Sequence, residues 1–118
     1  MPATPIPTGI KLHRRSQTLE LVFENDTFDL SAEYLRVFSP SAEVRGHGKG
    51  QEILQLNKQD ARIIGVEPQG NYAIRLTFGD GHDSGIYTWE YLYDLGKNQD
   101  AHWAHYLSKV KARLNQSQ

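Results

Sequence analysis

The 118-residue chain has no cysteine. That excludes disulfides, thiolate catalysis, and any zinc or iron–sulfur group held by cysteines of this chain alone. The same absence suits a reducing compartment, so the cytoplasm is the expected location. No apolar run approaches the roughly 18–20 residues that a membrane helix needs. The opening "MPATPIPTG" has neither the basic nor the apolar segment of a signal peptide. Strong charge of one sign is also missing: the formal net charge is −1, which gives no drive toward nucleic acid or an acidic membrane. Of the five prolines, three stand at Pro2, Pro5 and Pro7. Residues 1–8 are therefore expected to form a disordered tail ahead of one domain over 9–116.

What is present suits a folded globular protein: 38% of residues are hydrophobic and 23% charged. Ile10, Leu12, Leu19, Leu21 and Phe23 alternate with polar residues, which predicts strands over 10–15 and 18–24 joined by a turn at Ser16–Gln17. Ser31 is placed to cap a short helix over 32–38, with Leu30 and Leu35 as a hydrophobic staple and Pro40 limiting its extent. A polar loop over 39–52 follows, with 46–50 expected to be its loosest part. Strands are predicted near 62–67, 72–78 and 84–88, with turns at "PQGN" and "GDG". Thr88 caps a helix that presents Trp89, Leu92 and Leu95 on one face and closes at Gly96. A last helix over 99–115 carries Trp103, Tyr106, Leu107, Val110 and Leu114 at spacings of three and four, an inward stripe. The expected class is α+β: a small, mostly antiparallel sheet with helices on one face, including a C-terminal amphipathic helix.

Several patterns that imitate active sites fail on spacing. Gly46, Gly48 and Gly50 alternate with His47 and Lys49, but the run fits neither G-x-x-x-x-G-K-[ST] nor G-x-G-x-x-G. His82, Asp83 and Ser84 are the residue types of a hydrolase triad, yet consecutive residues of an extended segment point to opposite faces, and no G-x-S-x-G elbow occurs. His102 and His105 lie toward the polar side of the last helix, with no carboxylate expected nearby, and His13 alternates outward. Lys11, Arg14 and Arg15 form a basic patch without interleaved aromatics, which argues against nucleic acid. No nucleophile–base pair or cofactor motif emerges, so the chain is not expected to be an enzyme.

The unusual stretch is "SGIYTWEYLYDLG". Tyr87, Trp89, Tyr91 and Tyr93 place four large aromatics in seven residues. Strand alternation and helical phase cannot bury them all, so some of the tyrosines are expected to be partly exposed, as interface residues are. The alternative is that they cap a small core.

Taken with "GIKLHRRSQTLELVF" and "FDLSAEYLRVFSP", the stretch "TFGDGHDSGIYTWEYL" resembles the domain found at the N-terminus of gamma-butyrobetaine hydroxylase and trimethyllysine dioxygenase, over roughly residues 9–95. That domain also occurs as short stand-alone bacterial proteins of unknown function and fused to P-loop ATPases linked with iron–sulfur assembly. In the dioxygenases the resemblance implies a zinc module of three cysteines and a histidine. Laid on this chain, the cysteine positions are Ser39, Ser41 and Val44, while His82 keeps the histidine. Hydroxyls are poor zinc ligands and valine is none, so no cofactor is expected. A substitute site would need His82 with His47 and a carboxylate such as Glu43. The catalytic iron domain of those enzymes has no counterpart here. The resemblance therefore implies an accessory module that binds an unknown protein partner or itself, through Asp83, Ser84, Tyr87, Trp89, Tyr91 and Tyr93. The alternative is a residual metal-binding protein.

Overall fold

A computed structural model describes residues 5–41, 55 and 58–116. Three strands, β1 (Gly9–His13), β2 (Thr18–Val22) and β3 (Thr27–Ser31), form an antiparallel sheet in sequence order. Helix α1 (Ala32–Val37) follows directly. A second antiparallel sheet contains β4 (Ile63–Gln69), β5 (Ala73–Phe78) and β6 (Ile86–Thr88). Helices α2 (Trp89–Lys97) and α3 (Gln99–Gln116) close the chain. The class is the expected α+β, with the strands divided between two three-stranded sheets.

Alternation decides which face of each strand turns inward. Leu12 pairs with Leu19, and Leu21 with Phe28, across neighbouring strands, so the leucine positions share one face. In β5, Ile74, Leu76 and Phe78 are buried. Leu19, Leu21 and Leu30 from the first sheet meet Ile63, Ile74, Leu76 and Phe78 from the second, with Leu35 of α1 and Leu92 and Leu95 of α2, in one core cluster. Gln17 helps to join the sheets. It adopts φ 54° in the β1–β2 turn, and its side-chain oxygen accepts a 2.7 Å bond from the Ile63 amide at the start of β4.

Local signals for the helix starts hold. The Ser31 hydroxyl accepts from the Tyr34 amide at 3.1 Å, and the Thr88 hydroxyl accepts from the Tyr91 amide at 3.2 Å. Four expectations change. The first sheet has a third strand, β3, where only the approach to a helix was expected. Gly96 does not end α2, which runs on to Lys97 with Asn98 as its cap. The inward stripe of α3 holds for Trp103 and Tyr106, with Val110 half-buried, but not for Leu107, 49% exposed, or Leu114, 60% exposed. An 18-residue helix is about 27 Å long, and these two leucines of its second half face solvent. Lastly, His102 does have a carboxylate beside it: its Nε2 lies 3.0 Å from Asp94 Oδ2.

Of the expected tail, residues 5–8 are described, and Thr8 is already anchored by its amide to the Val22 carbonyl at 2.6 Å. Among the described residues no helix is long and apolar enough to cross a membrane.

Candidate functional site

The end of α1 and the turn between β5 and β6 bring two serines together with a histidine 41 and 43 positions further along the sequence. Ser39 Oγ lies 2.7 Å from His82 Nε2, and Ser41 Oγ lies 3.4 Å from the same nitrogen. All three are buried, with Ser39 1% and His82 6% exposed. Two local features hold this geometry. The β5–β6 turn is set by Gly81 at φ 91°, the Phe78 amide donating to the His82 carbonyl at 2.9 Å, and the His82 amide donating to Asp80 Oδ1 at 3.1 Å. Gly85 then lets the chain entering β6 pass against Ser39, because a Cβ there would overlap the serine hydroxyl.

An ion-pair cluster braces the turn from outside. Arg36 Nε donates to Asp80 Oδ2 at 3.0 Å, its Nη1 donates to the Gln55 side chain at 3.0 Å, and Lys58 Nζ stands 3.6 Å from Asp80. Partial burial works to raise the Asp80 pKa. The His82 amide, the Arg36 guanidinium and Lys58 outweigh it and hold the carboxyl below its ordinary value. Neither Arg36 nor Asp80 was singled out as a pair in advance, since 44 residues separate them.

The serine positions therefore do converge on His82, but their donor set does not fit zinc. Two neutral hydroxyls stand beside one imidazole and are already hydrogen-bonded to it, where the metal would need charged thiolates. Val44, His47 and Glu43 lie outside the described residues, as does the glycine-rich segment 46–50. Against expectation, Ser39 and His82 do have the spacing of a nucleophile and its base. Burial decides how that pair is read. A serine hydroxyl 1% exposed is inside the protein, where the bond satisfies two polar groups that would otherwise be costly to bury.

The aromatic stretch is divided rather than gathered. Tyr87 is fully buried and leaves the expected surface, because alternation in β6 turns it inward between exposed Ile86 and Thr88. Its hydroxyl donates to the Leu35 carbonyl at 2.6 Å, and the Tyr91 hydroxyl donates to the Phe38 carbonyl at 2.5 Å. These are carbonyls of the C-terminal end of α1, which the helix itself leaves without partners. The Tyr34 hydroxyl of α1 does the same for Leu95 of α2, at 2.7 Å. Burial pushes the Tyr34 and Tyr87 phenols well up, so both stay protonated donors. Trp89 turns its indole N–H to the Asn71 carbonyl, 2.8 Å away, and Tyr93 donates to Asp26 at 2.7 Å while packing edge-on against Phe23 and Phe28. Asp83 and Ser84 are exposed at the turn.

The half-buried ring of Tyr91 borders a groove of about 460 Å³ lined by Pro40, Ile86, Thr88, Glu90, Tyr91 and Asp94. It runs beside β6, which is an edge strand of the second sheet among the described residues. Tyr93 belongs to a different groove of about 440 Å³, with Pro5, Ile6, Thr8, Phe23 and Asp26.

The family model described as gamma-butyrobetaine hydroxylase-like, N-terminal, matches residues 10–93. One protein with an NMR solution structure is 50% identical, with a TM-score of 0.82 over 94% of this chain and 88% of its own. A second NMR structure is 48% identical, with a TM-score of 0.79 over 96% and 87%. A crystal structure from Acidithiobacillus ferrooxidans, of a DUF971-family protein of unknown function, is 34% identical, with a TM-score of 0.63 over 79% and 92%. No curated protein matches the chain.

Proposed function

Because the chain belongs to the gamma-butyrobetaine hydroxylase-like N-terminal family, we propose that it is a cytoplasmic accessory module that binds another protein and performs no catalysis of its own. The observation that carries this reading is the groove beside β6. It combines a strand edge that is unpaired among the described residues, an exposed Ile86, the face of Tyr91 and the carboxylates of Glu90 and Asp94. An exposed edge offers backbone donors and acceptors to an extended segment of a partner. The apolar side chains supply contact area, and the Glu90 carboxylate, with Asp94 already paired to His102 and Asn98, favours a partner segment that carries lysine or arginine. Asp83 and Ser84 lie on the turn that leads into the same strand. Tyr91 is restricted to its ring face, because its hydroxyl is already engaged by Phe38.

Affinity capture with the wild-type chain, and with an Ile86→Lys/Glu90→Lys variant, tests the reading. The variant should lose a partner that wild type and an Ile64→Ala control both retain, with its circular dichroism unchanged. If no protein distinguishes the two baits, and the wild-type chain sediments as a monomer, the interaction reading is wrong.

A further inference from the structure

The outer face of the first sheet carries a cluster of three side chains able to ligate a metal. His13, Glu20 and Asp29 come from three successive strands, and one ligand atom from each lies within 4.8 Å of the others. The register explains the convergence. Glu20 stands directly opposite Lys11 on one side and Asp29 on the other, while His13 reaches Glu20 along the diagonal, its Nε2 2.9 Å from Oε1. The leucines of the same strands turn to the opposite face and are locked in the core, so the backbone fixes where these three side chains begin.

We propose that His13, Glu20 and Asp29 form a divalent-cation site of the zinc–cobalt class. Two carboxylates placed opposite each other on neighbouring strands repel, and the His13 imidazole together with the Lys11 ammonium across from Glu20 relieves only part of that repulsion. A neutral imidazole with two carboxylates gives a ligand set of charge −2, which balances a divalent cation. The mixed nitrogen and oxygen donors suit zinc, cobalt or manganese better than calcium or magnesium, which prefer oxygen alone, or copper(I), which prefers sulfur. Bonds of about 2.0–2.2 Å in a tetrahedral arrangement put neighbouring ligands about 3.4 Å apart, so His13 and Glu20, hydrogen-bonded at 2.9 Å, would part slightly to admit the ion. Three protein ligands leave coordination positions open to water or to a donor from a partner. This site shares no residue with the Ser39–Ser41–His82 cluster or with the groove beside β6, so it stands or falls independently of the proposed function.

The test is titration of the full-length, untagged, EDTA-treated chain with Zn²⁺ and Co²⁺, followed by calorimetry, cobalt visible absorption and NMR. Binding of one ion per chain is expected, with the His13 ring signals shifted and those of His82 unmoved. His13→Gln, Glu20→Gln and Asp29→Asn should each weaken binding by about tenfold or more, since even loss of an outer-sphere partner commonly costs about that much. His102→Gln should leave it unchanged. All three ligand substitutions are on the sheet surface, and unchanged thermal unfolding will show that they fold. Undiminished affinity in His13→Gln, perturbation of His82 instead, or absence of a cobalt spectrum would each overturn the proposal.

Discussion

Gly96 lies inside α2, where glycine is less favourable than alanine by roughly 0.5–1 kcal/mol. Substitution by alanine would therefore be expected to stabilise an ordinary helix. Here a Cβ would overlap the ring of Phe28, which is itself held between Phe23 and Tyr93 at centroid separations of 5.8 and 5.7 Å. Overpacking of that kind costs about 1–3 kcal/mol, more than the propensity gained. Gly96→Ala should lower the midpoint of urea denaturation. A raised midpoint would show that Phe28 gives way easily. From sequence, this glycine had the marks of a helix terminator, because the reason for it is a contact with a residue 68 positions earlier. The surroundings of His13 are hidden for the same reason, since outward alternation alone does not show that Glu20 and Asp29 share its face.

At the scale of elements, what depends on neighbours in sequence was legible. Alternation and turn residues together marked five of the six strands, and Ser31 and Thr88 marked the starts of α1 and α2 through their own hydroxyls. The missing strand, β3, carries only Phe28 and Leu30 as its apolar pair and runs straight into the Ser31 cap, so the helix signal hid it. Tertiary context also decided the aromatic stretch. A helix of six residues leaves most of its carbonyls without internal partners, and the tyrosines of β6 and α2 supply donors to two of the carbonyls at the end of α1. Crowded aromatics were expected to be interface or core, and their polar tips decide much of it. Tyr87→Phe keeps the ring and removes the donor to Leu35, leaving a buried carbonyl unsatisfied. The expected loss is about 1–3 kcal/mol in chemical denaturation. Tyr72→Phe, at a 55% exposed position, should be near neutral. Equal effects in the two variants would mean that the Tyr87 hydroxyl contributes nothing specific.

Across the whole molecule, Asp80 links parts that are distant in the chain: α1 through Arg36, the segment before β4 through Lys58, and the β5–β6 turn through the His82 amide. Its carboxyl is more acidic in the folded protein than in the unfolded chain, where an aspartate titrates near 3.9. The unfolded state thus takes up the proton first as the pH falls. The stabilisation from Asp80 is therefore complete above about pH 4 and declines as acid approaches the lower folded value. Solvent reaches part of the carboxylate, so screening keeps the contribution modest. Asp80→Asn retains an oxygen to accept from the His82 amide but gives up the charge facing Arg36 and Lys58. The variant should be less stable than wild type at pH 7, and the gap should narrow steadily as denaturation is measured from pH 4 down to pH 2. A gap that stays constant over that range would mean that the charge of Asp80 is not what binds the turn to α1, and that the amide bond alone holds His82 against Ser39.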